Sequence, residues 1–527
     1  MKLKYILIAT LCAAATLFNG CTKVDEFLNE EPSKNSMKPI ETADQLDAVL
    51  ATYWNYPVNI TEEKADLLYS SDDFAFLPLA QDKTSRGYLT QGLNYGCWTG
   101  DDSDTRYHSW GAEYYKIYYA NLVLDNVDKV SGTDEQKALL KADAHFLRAY
   151  CYFTLALAYT LYYDGNNGDE LGVVLKQTSN FEEDLHRASL KDTWDFIDAD
   201  IQEALKIQKP FVRSDGKHVN WRGSTGAVKA FAARYYLYRA DYENAKKYAL
   251  EALSEYGTFK NFNTPGEIGV LYSSKYTLAD TQEEVAIDWP STRVQLVTYF
   301  DMEPNMEALL GWKELYYARA MADGSPWNIP SQELLDTYAE DCPGDFYVND
   351  LRCKHFMPKY AGIYYVAAAN RVSENIYPGR VMFLGDLMSG PTVAEMTLIV
   401  AECLARSGDA SGAMQRVNAL RKNRIAEAVY QDLSAATPAI ALKKVLQERR
   451  REMPFTIRWY DLKRLNANDP DNKVTIKRKF YKFTNTSVLK NDGLIEYTLE
   501  PNSRHYALPI PKEDIDKSNG VIEQNKY

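Results

Sequence analysis

MTLIVAECLARSGDASGAMQRVNALRKN, residues 396–423, is the stretch that decides the fold. Ala401 and Leu404 precede a turn at Gly408, and Ala413, Val417 and Leu420 follow it, all on one face of a helical pattern. GAVKAFAARYYLYRADYENAKKYALEAL, residues 226–253, repeats the arrangement: Ala233, Tyr236, Ala245, Ala249 and Ala252 stand at the same spacing. Small residues at these positions let two helices approach, and larger ones fill the groove between neighbours. Both stretches read as helical hairpins.

The spacing is that of a tetratricopeptide hairpin. Two such units far apart in sequence do not make a regular solenoid. They predict a mainly α fold in which tetratricopeptide-like hairpins form a scaffold, with long irregular loops and a few short β-strands. A capping box at Thr133 and Gln136 opens a long apolar-periodic run through Ala144, Leu147, Tyr150 and Leu155, and Gly165 to Gly168 breaks it. AYCYFTLALAYTLYY, 149–163, is too short and too rich in tyrosine to span a membrane, so a buried helix is expected. Residues 66–110 and 257–390 are loop-like and aromatic. KVTIKRKFYKF, 473–483, reads as β.

The start of the chain reads as targeting. Lys2 and Lys4 precede an apolar run from Tyr5 to Phe18, and Gly20 stands before Cys21. Gly-Cys at the end of such a run is where a lipoprotein peptidase cuts, which makes Cys21 the expected lipidation site. The expected organisation is a signal peptide over 1–20, a lipidated acidic leash over 21–40 and a helical region over 41–260. A loop-rich, ligand-facing insertion over 261–390 and a closing helical region over 391–527 complete it.

A net charge of −13 argues against nucleic acid as a partner. The 39 tyrosines offer flat apolar faces with a polar edge, suited to sugars or peptides, although many must serve the core. Cys151 and Cys403 lie on apolar helical stretches and read as buried thiols, whereas Cys342 and Cys353 leave a disulfide open. HExxH, phosphate-loop and G-x-S-x-G patterns are absent. DGNNGDE, 164–170, lacks the glycine and the closing acid of a calcium loop and reads as a helix-ending turn. DDSD at 101–104 is a better calcium candidate, with a solvated loop still favoured, so no cofactor or metal is expected. In QERRREMPFTIRWYDLKRLN, 447–466, acidic and basic residues interleave, which points to a salt-bridged helix and its packing turn.

That last segment also resembles the signature of the SusD/RagB outer-membrane lipoproteins, the nutrient-binding partners of TonB-dependent transporters. Glu448, Arg449, Arg450, Glu452, Phe455, Arg458, Asp461, Leu462 and Arg464 fall on the pattern. Thr456-Ile457 stands where Glu-Gly is usual, a departure expected to affect only a turn. Cys21 with DEFLNEEP, YYKIYYANLVLDNV, ADAHFLRAYCYFTLALAY, IPSQELLDTY and the ending YALPIPKEDIDKSNGVIEQNKY are similar to the family as well.

The resemblance implies a non-catalytic lipoprotein anchored at the outer membrane through Cys21 and facing the cell exterior. It implies a protein that binds a glycan and delivers it to a SusC-like TonB-dependent transporter. Peptide capture on the same architecture is the alternative, and a surface glycoside hydrolase is the remote one. For the ligand site the expectation is exposed loop aromatics that stack on sugar rings. Trp98 comes first, with Tyr95, Asp101 and Arg106 near it in sequence, and Trp312, Tyr316 and Trp327 form a second cluster. Trp110 and Trp459 lie in scaffold motifs and are excluded.

Overall fold

Side-chain caps written into the sequence start the helices of the N-terminal half. In the computed structural model, α1 (Ala43–Leu50) opens on a capping box of Thr42 and Gln45. After α2 (Ser109–Asn126), α3 (Asp134–Tyr159) opens on the expected box of Thr133 and Gln136. Ser189, Ser224 and Asp241 cap α4 (Leu190–Ala204), α5 (Thr225–Tyr238) and α6 (Tyr242–Glu255). The structure describes residues 39–51, 109–265, 312–322, 328–357, 386–484 and 487–527. It also describes the short segments 62–64, 70–76, 97–98, 271–277, 284–290, 359, 365–366 and 371–372.

Helix α3 is the centre of the N-terminal core. Every side chain from Phe146 to Tyr159 is buried, with α2 and α4 packed against it. The helix stops at Tyr159, ahead of the glycine turn, because Lys463 donates to the carbonyls of Leu157 (2.7 Å) and Thr160 (2.6 Å). Residues 164–167 then form a closed turn in which Asp164 accepts from the backbone N–H groups of Asn166 and Asn167.

The two hairpins are neighbours in space. Following α7 (Gln332–Asp341), the second hairpin consists of α8 (Val393–Arg406) and α9 (Ala410–Arg421). Helix α6 packs directly on α8, and Ala245, Ala249 and Ala252 meet Met396, Ile399, Val400 and Cys403 in one buried cluster. Both turns use the same backbone. Gly408 has φ of 95°, and Ala240, at the matching position, has φ of 58°. The aspartate that follows, Asp409 or Asp241, caps the next helix in each case.

Helix α10 (Pro438–Glu452) lies across α7, α8 and α9, and α11 (Arg458–Asn468) follows it. The interleaved charges of this segment form buried ion pairs. Glu448 accepts from Arg352, Arg421 and Arg451, and Arg449 bridges Glu395 and Asp461. Arg464 joins Glu402 to Asp461. Thr456 and Ile457 do more than shape a turn: both are buried, and Ile457 belongs to the main core. Trp110 and Trp459 are buried, as expected of scaffold residues.

The longest strands among the described residues form two antiparallel pairs, Leu271–Thr277 with Glu284–Pro290 and Ile476–Thr484 with Ser487–Leu499, and the register of the second shifts between Tyr481 and Lys482. Glu62–Lys64, Ala320–Ala322 and Asp386–Met388 form a three-stranded sheet in that order. All of Cys97, Cys151, Cys342, Cys353 and Cys403 are buried free thiols, so Cys342 and Cys353 are not joined. No helix among the described residues is long and apolar enough to cross a membrane.

Candidate functional site

A short acidic segment, Ser70 to Phe76, is the base on which the first predicted aromatic sits. Asp72 accepts two hydrogen bonds from Arg458, through Nε (2.7 Å) and Nη2 (2.8 Å). Asp73 accepts from Arg450 Nε (2.7 Å) and from the backbone N–H of Phe455 (2.7 Å). Burial alone would raise the Asp72 carboxyl, but Arg450 and Arg458 outweigh it and hold Asp72 well below the usual carboxylate range. For Asp73 burial prevails over Arg450, and the neighbouring Asp72 adds to it, so its carboxyl is pushed upward.

Trp98 closes onto this base. Its indole N–H donates to the carbonyl of Ser70 (3.0 Å), and the Arg478 guanidinium lies over its ring at 5.0 Å. Arg478 in turn donates to the carbonyls of Ser71 (2.6 Å) and Phe74 (3.1 Å). Trp98 has φ of 52° and Phe455 has φ of 72°. For bulky L-residues this left-handed backbone is a strained outlier that surrounding contacts must impose, and such strain concentrates at functional sites. The Phe455 ring packs on Phe74 at 4.7 Å, so both strained aromatics touch the same segment.

The same base joins the second predicted cluster through its backbone. Phe74–Phe76 pairs antiparallel with Asn328–Pro330, immediately after Trp327 in sequence. Ser331 donates through its hydroxyl to the Asp72 carbonyl (2.6 Å) and through its N–H to that of Asp73 (2.8 Å). The strand that follows Trp327 and the segment that Trp98 contacts are therefore anchored together.

The predicted residues themselves divide. Tyr95, Asp101, Arg106, Trp327 and the lipidation candidate Cys21 lie outside the described residues, as does the DDSD stretch. Trp98 is only 6% exposed, so its ring is not the open platform expected; the cation above it and the carbonyl at its edge enclose it. Trp312, at 8%, is packed among Phe262, Phe356 and the Lys260 ammonium, and it borders a cavity of about 70 Å³ with Arg352 and Ser389. Tyr316 is fully buried. Its hydroxyl donates to the Tyr256 carbonyl and its ring packs on Phe211, so it is a scaffold residue with no face for a ligand.

Asp72, Asp73 and Arg478 were not singled out from the sequence. The signal for the first two lay in their charge: an adjacent acidic pair opposite an arginine-rich segment. Among the described residues no cluster of three or more His, Cys, Asp or Glu is arranged to hold a metal ion.

Comparison with known proteins places this geometry in context. Residues 26–237 match a family model described as SusD-like, starch-binding and associating with the outer membrane, and residues 393–527 match the SusD family model. No curated protein matches the chain. Among solved structures, a SusD superfamily protein from Bacteroides thetaiotaomicron is similar at 16% identity and a TM-score of 0.60, over 92% of this chain and 100% of that one. A SusD-like carbohydrate binding protein from Bacteroides vulgatus is similar at 18% identity and a TM-score of 0.56, over 91% and 97%. A laminarin binding SusD-like protein is similar at 17% and 0.53, over 92% and 99%. At these identities the structures speak for the fold.

Proposed function

The chain belongs to the SusD/RagB family, and from that premise we propose that it is a non-catalytic outer-membrane lipoprotein that binds a glycan and delivers it to a SusC-like TonB-dependent transporter. Lipidation at Cys21 would hold it at the membrane, since acyl chains contribute about 0.8 kcal/mol per buried CH₂. The carbohydrate-binding relatives among the solved structures support the ligand class.

The observation that carries the reading to a site is the backbone of Trp98. A tryptophan held at positive φ on a base of paired aspartates and arginines is set in place before any ligand arrives. In this reading the Trp98 base and the strand that follows Trp327 present the loops that grip the glycan, and Tyr95, Asp101 and Arg106 are the groups that bond its hydroxyls.

Calorimetric titration of the mature chain against a panel of polysaccharides and peptides tests this. Saturable binding to a glycan is the expected result. Binding to peptides alone would replace the ligand class, and turnover of a polysaccharide would replace the whole reading by a hydrolase.

A further inference from the structure

We propose that Lys463 is a pH-sensitive latch: as a neutral amine it locks the end of α3 to α11, and taking up a proton weakens that joint. The carbonyls that end α3 all find donors. That of Ala156 accepts from the Thr160 backbone and hydroxyl, that of Ala158 from the Leu508 N–H (2.9 Å), and that of Tyr159 from Asn525 (3.0 Å) and Arg187 (3.3 Å). The carbonyls of Leu157 and Thr160 are left to Lys463. Among these donors Lys463 alone can lose a charge, because an arginine stays protonated and the others are neutral.

The number of acceptors fits the neutral form. Lys463 is 2% exposed, and its amine meets those two carbonyls and no carboxylate among the described residues. A neutral amine has two N–H groups and an ammonium three, so the third N–H of the charged form goes unmet. A buried donor without an acceptor is costly, and a buried charge without a counter-charge is costlier. Carbonyls at a helix C-terminus favour a cation, but full burial outweighs them and lowers the amine from its ordinary 10.5 to about 7.

The charges on the surrounding elements are committed elsewhere. On α11, Asp461 is held by Arg449 and Arg464, and Asp469 at its end meets Arg406. On α8, Glu402 is held by Arg464 and Arg406, and Glu395 by Arg449 and by Arg234 of α5. Helix α3 carries no charged residue from Ala149 to Tyr159. Before α4, Arg187 donates to the Gly172 carbonyl and interacts with Glu523, and in the closing segment Arg504 meets Glu170. The hydroxyls of Tyr159 and Tyr506 are engaged by Ser109 and Asn466. None of these groups moves the Lys463 amine, which responds to burial alone. A proton arriving there meets no compensation from the chain.

The test follows the side-chain signals of a chain labelled with ¹³C at the lysine Cε through a pH titration. Solvent-facing lysines change near about 10.4. One further signal is expected to change near pH 7 and to vanish in Lys463→Met, or in Lys463→Gln should the methionine variant not fold. Denaturant unfolding gives the second readout. The unfolded amine keeps its proton up to 10.5 and the folded one only up to about 7, so stability rises with pH between the two. From pH 7 to pH 9 the folding equilibrium constant of the parent is expected to rise about fiftyfold relative to that of the variant. A Lys463 signal that changes above pH 9 would overturn the proposal, and so would a parent-to-variant ratio independent of pH. In the parent by itself, the absence of any lysine signal changing between pH 6 and pH 8 would also overturn it.

Discussion

Asp73 does two jobs with one carboxylate, neutralising Arg450 and accepting the N–H that Phe455 presents from its left-handed backbone. Replacing it with alanine takes one of two carboxylates from Arg450, which keeps its contact with Asp72 at 3.3 Å, and removes the acceptor that Asp73 offers to the buried Phe455 amide. Asp73→Ala is therefore expected to lose about 1–3 kcal/mol, read as a lower denaturant midpoint. Glu402 gives a pH test. Burial raises its carboxyl, but Arg464 and Arg406 prevail and bring it from its ordinary 4.5 to about 2. A carboxylate with a lowered folded pKa stabilises above its unfolded value, and that contribution fades as pH falls through the folded value. The contribution is on the order of 3 kcal/mol. The stability gap between the parent and Glu402→Gln should accordingly be full at neutral pH and close between 4.5 and about 2 in pH-dependent unfolding. At this scale the sequence was read unevenly. The interleaved charges of 447–466 announced ion pairs, but a tryptophan in a loop carries no mark of whether its ring faces solvent or an arginine. Trp98, Trp312 and Tyr316 were expected in the open for that reason and are enclosed instead.

The hairpins were legible because their spacing is a packing requirement. Ala245, Ala249 and Ala252 are fully buried where α6 meets α8, so a larger side chain there would have to displace its neighbours. Ala249→Leu should cost about 1–3 kcal/mol through overpacking, measured by thermal unfolding. The turns differ in one instructive way. Gly408 adopts its left-handed backbone without strain, whereas Ala240 carries a Cβ at the same position. Ala240→Gly is expected to raise stability by about 0.5–1 kcal/mol, read in the same unfolding experiment, because relief of the strain outweighs the added freedom of the unfolded chain. The end of α3 was less legible. The apolar run continues past Tyr159, and what stops the helix is Lys463, some three hundred residues away in sequence.

The molecule as a whole is held by contacts between segments that lie far apart in the chain. The arginines of α10 and α11 reach back to Asp72 and Asp73, and Arg234 of the first hairpin pairs with Glu395 of the second. Single-sequence patterning shows that such charges need partners but not which partners they take, so the fold class and the scaffold were readable and the base beneath Trp98 was not. That base gives the family's arginine-rich segment a role in the account: it fixes the root of the ligand loops and does not touch ligand. The most direct measurement is the affinity of Trp98→Ala and Tyr316→Phe for whichever glycan the parent chain binds, with folding checked by circular dichroism. The account predicts binding lost in Trp98→Ala and unchanged in Tyr316→Phe. Parent-like affinity in a folded Trp98→Ala would contradict it and move the glycan site elsewhere on the molecule.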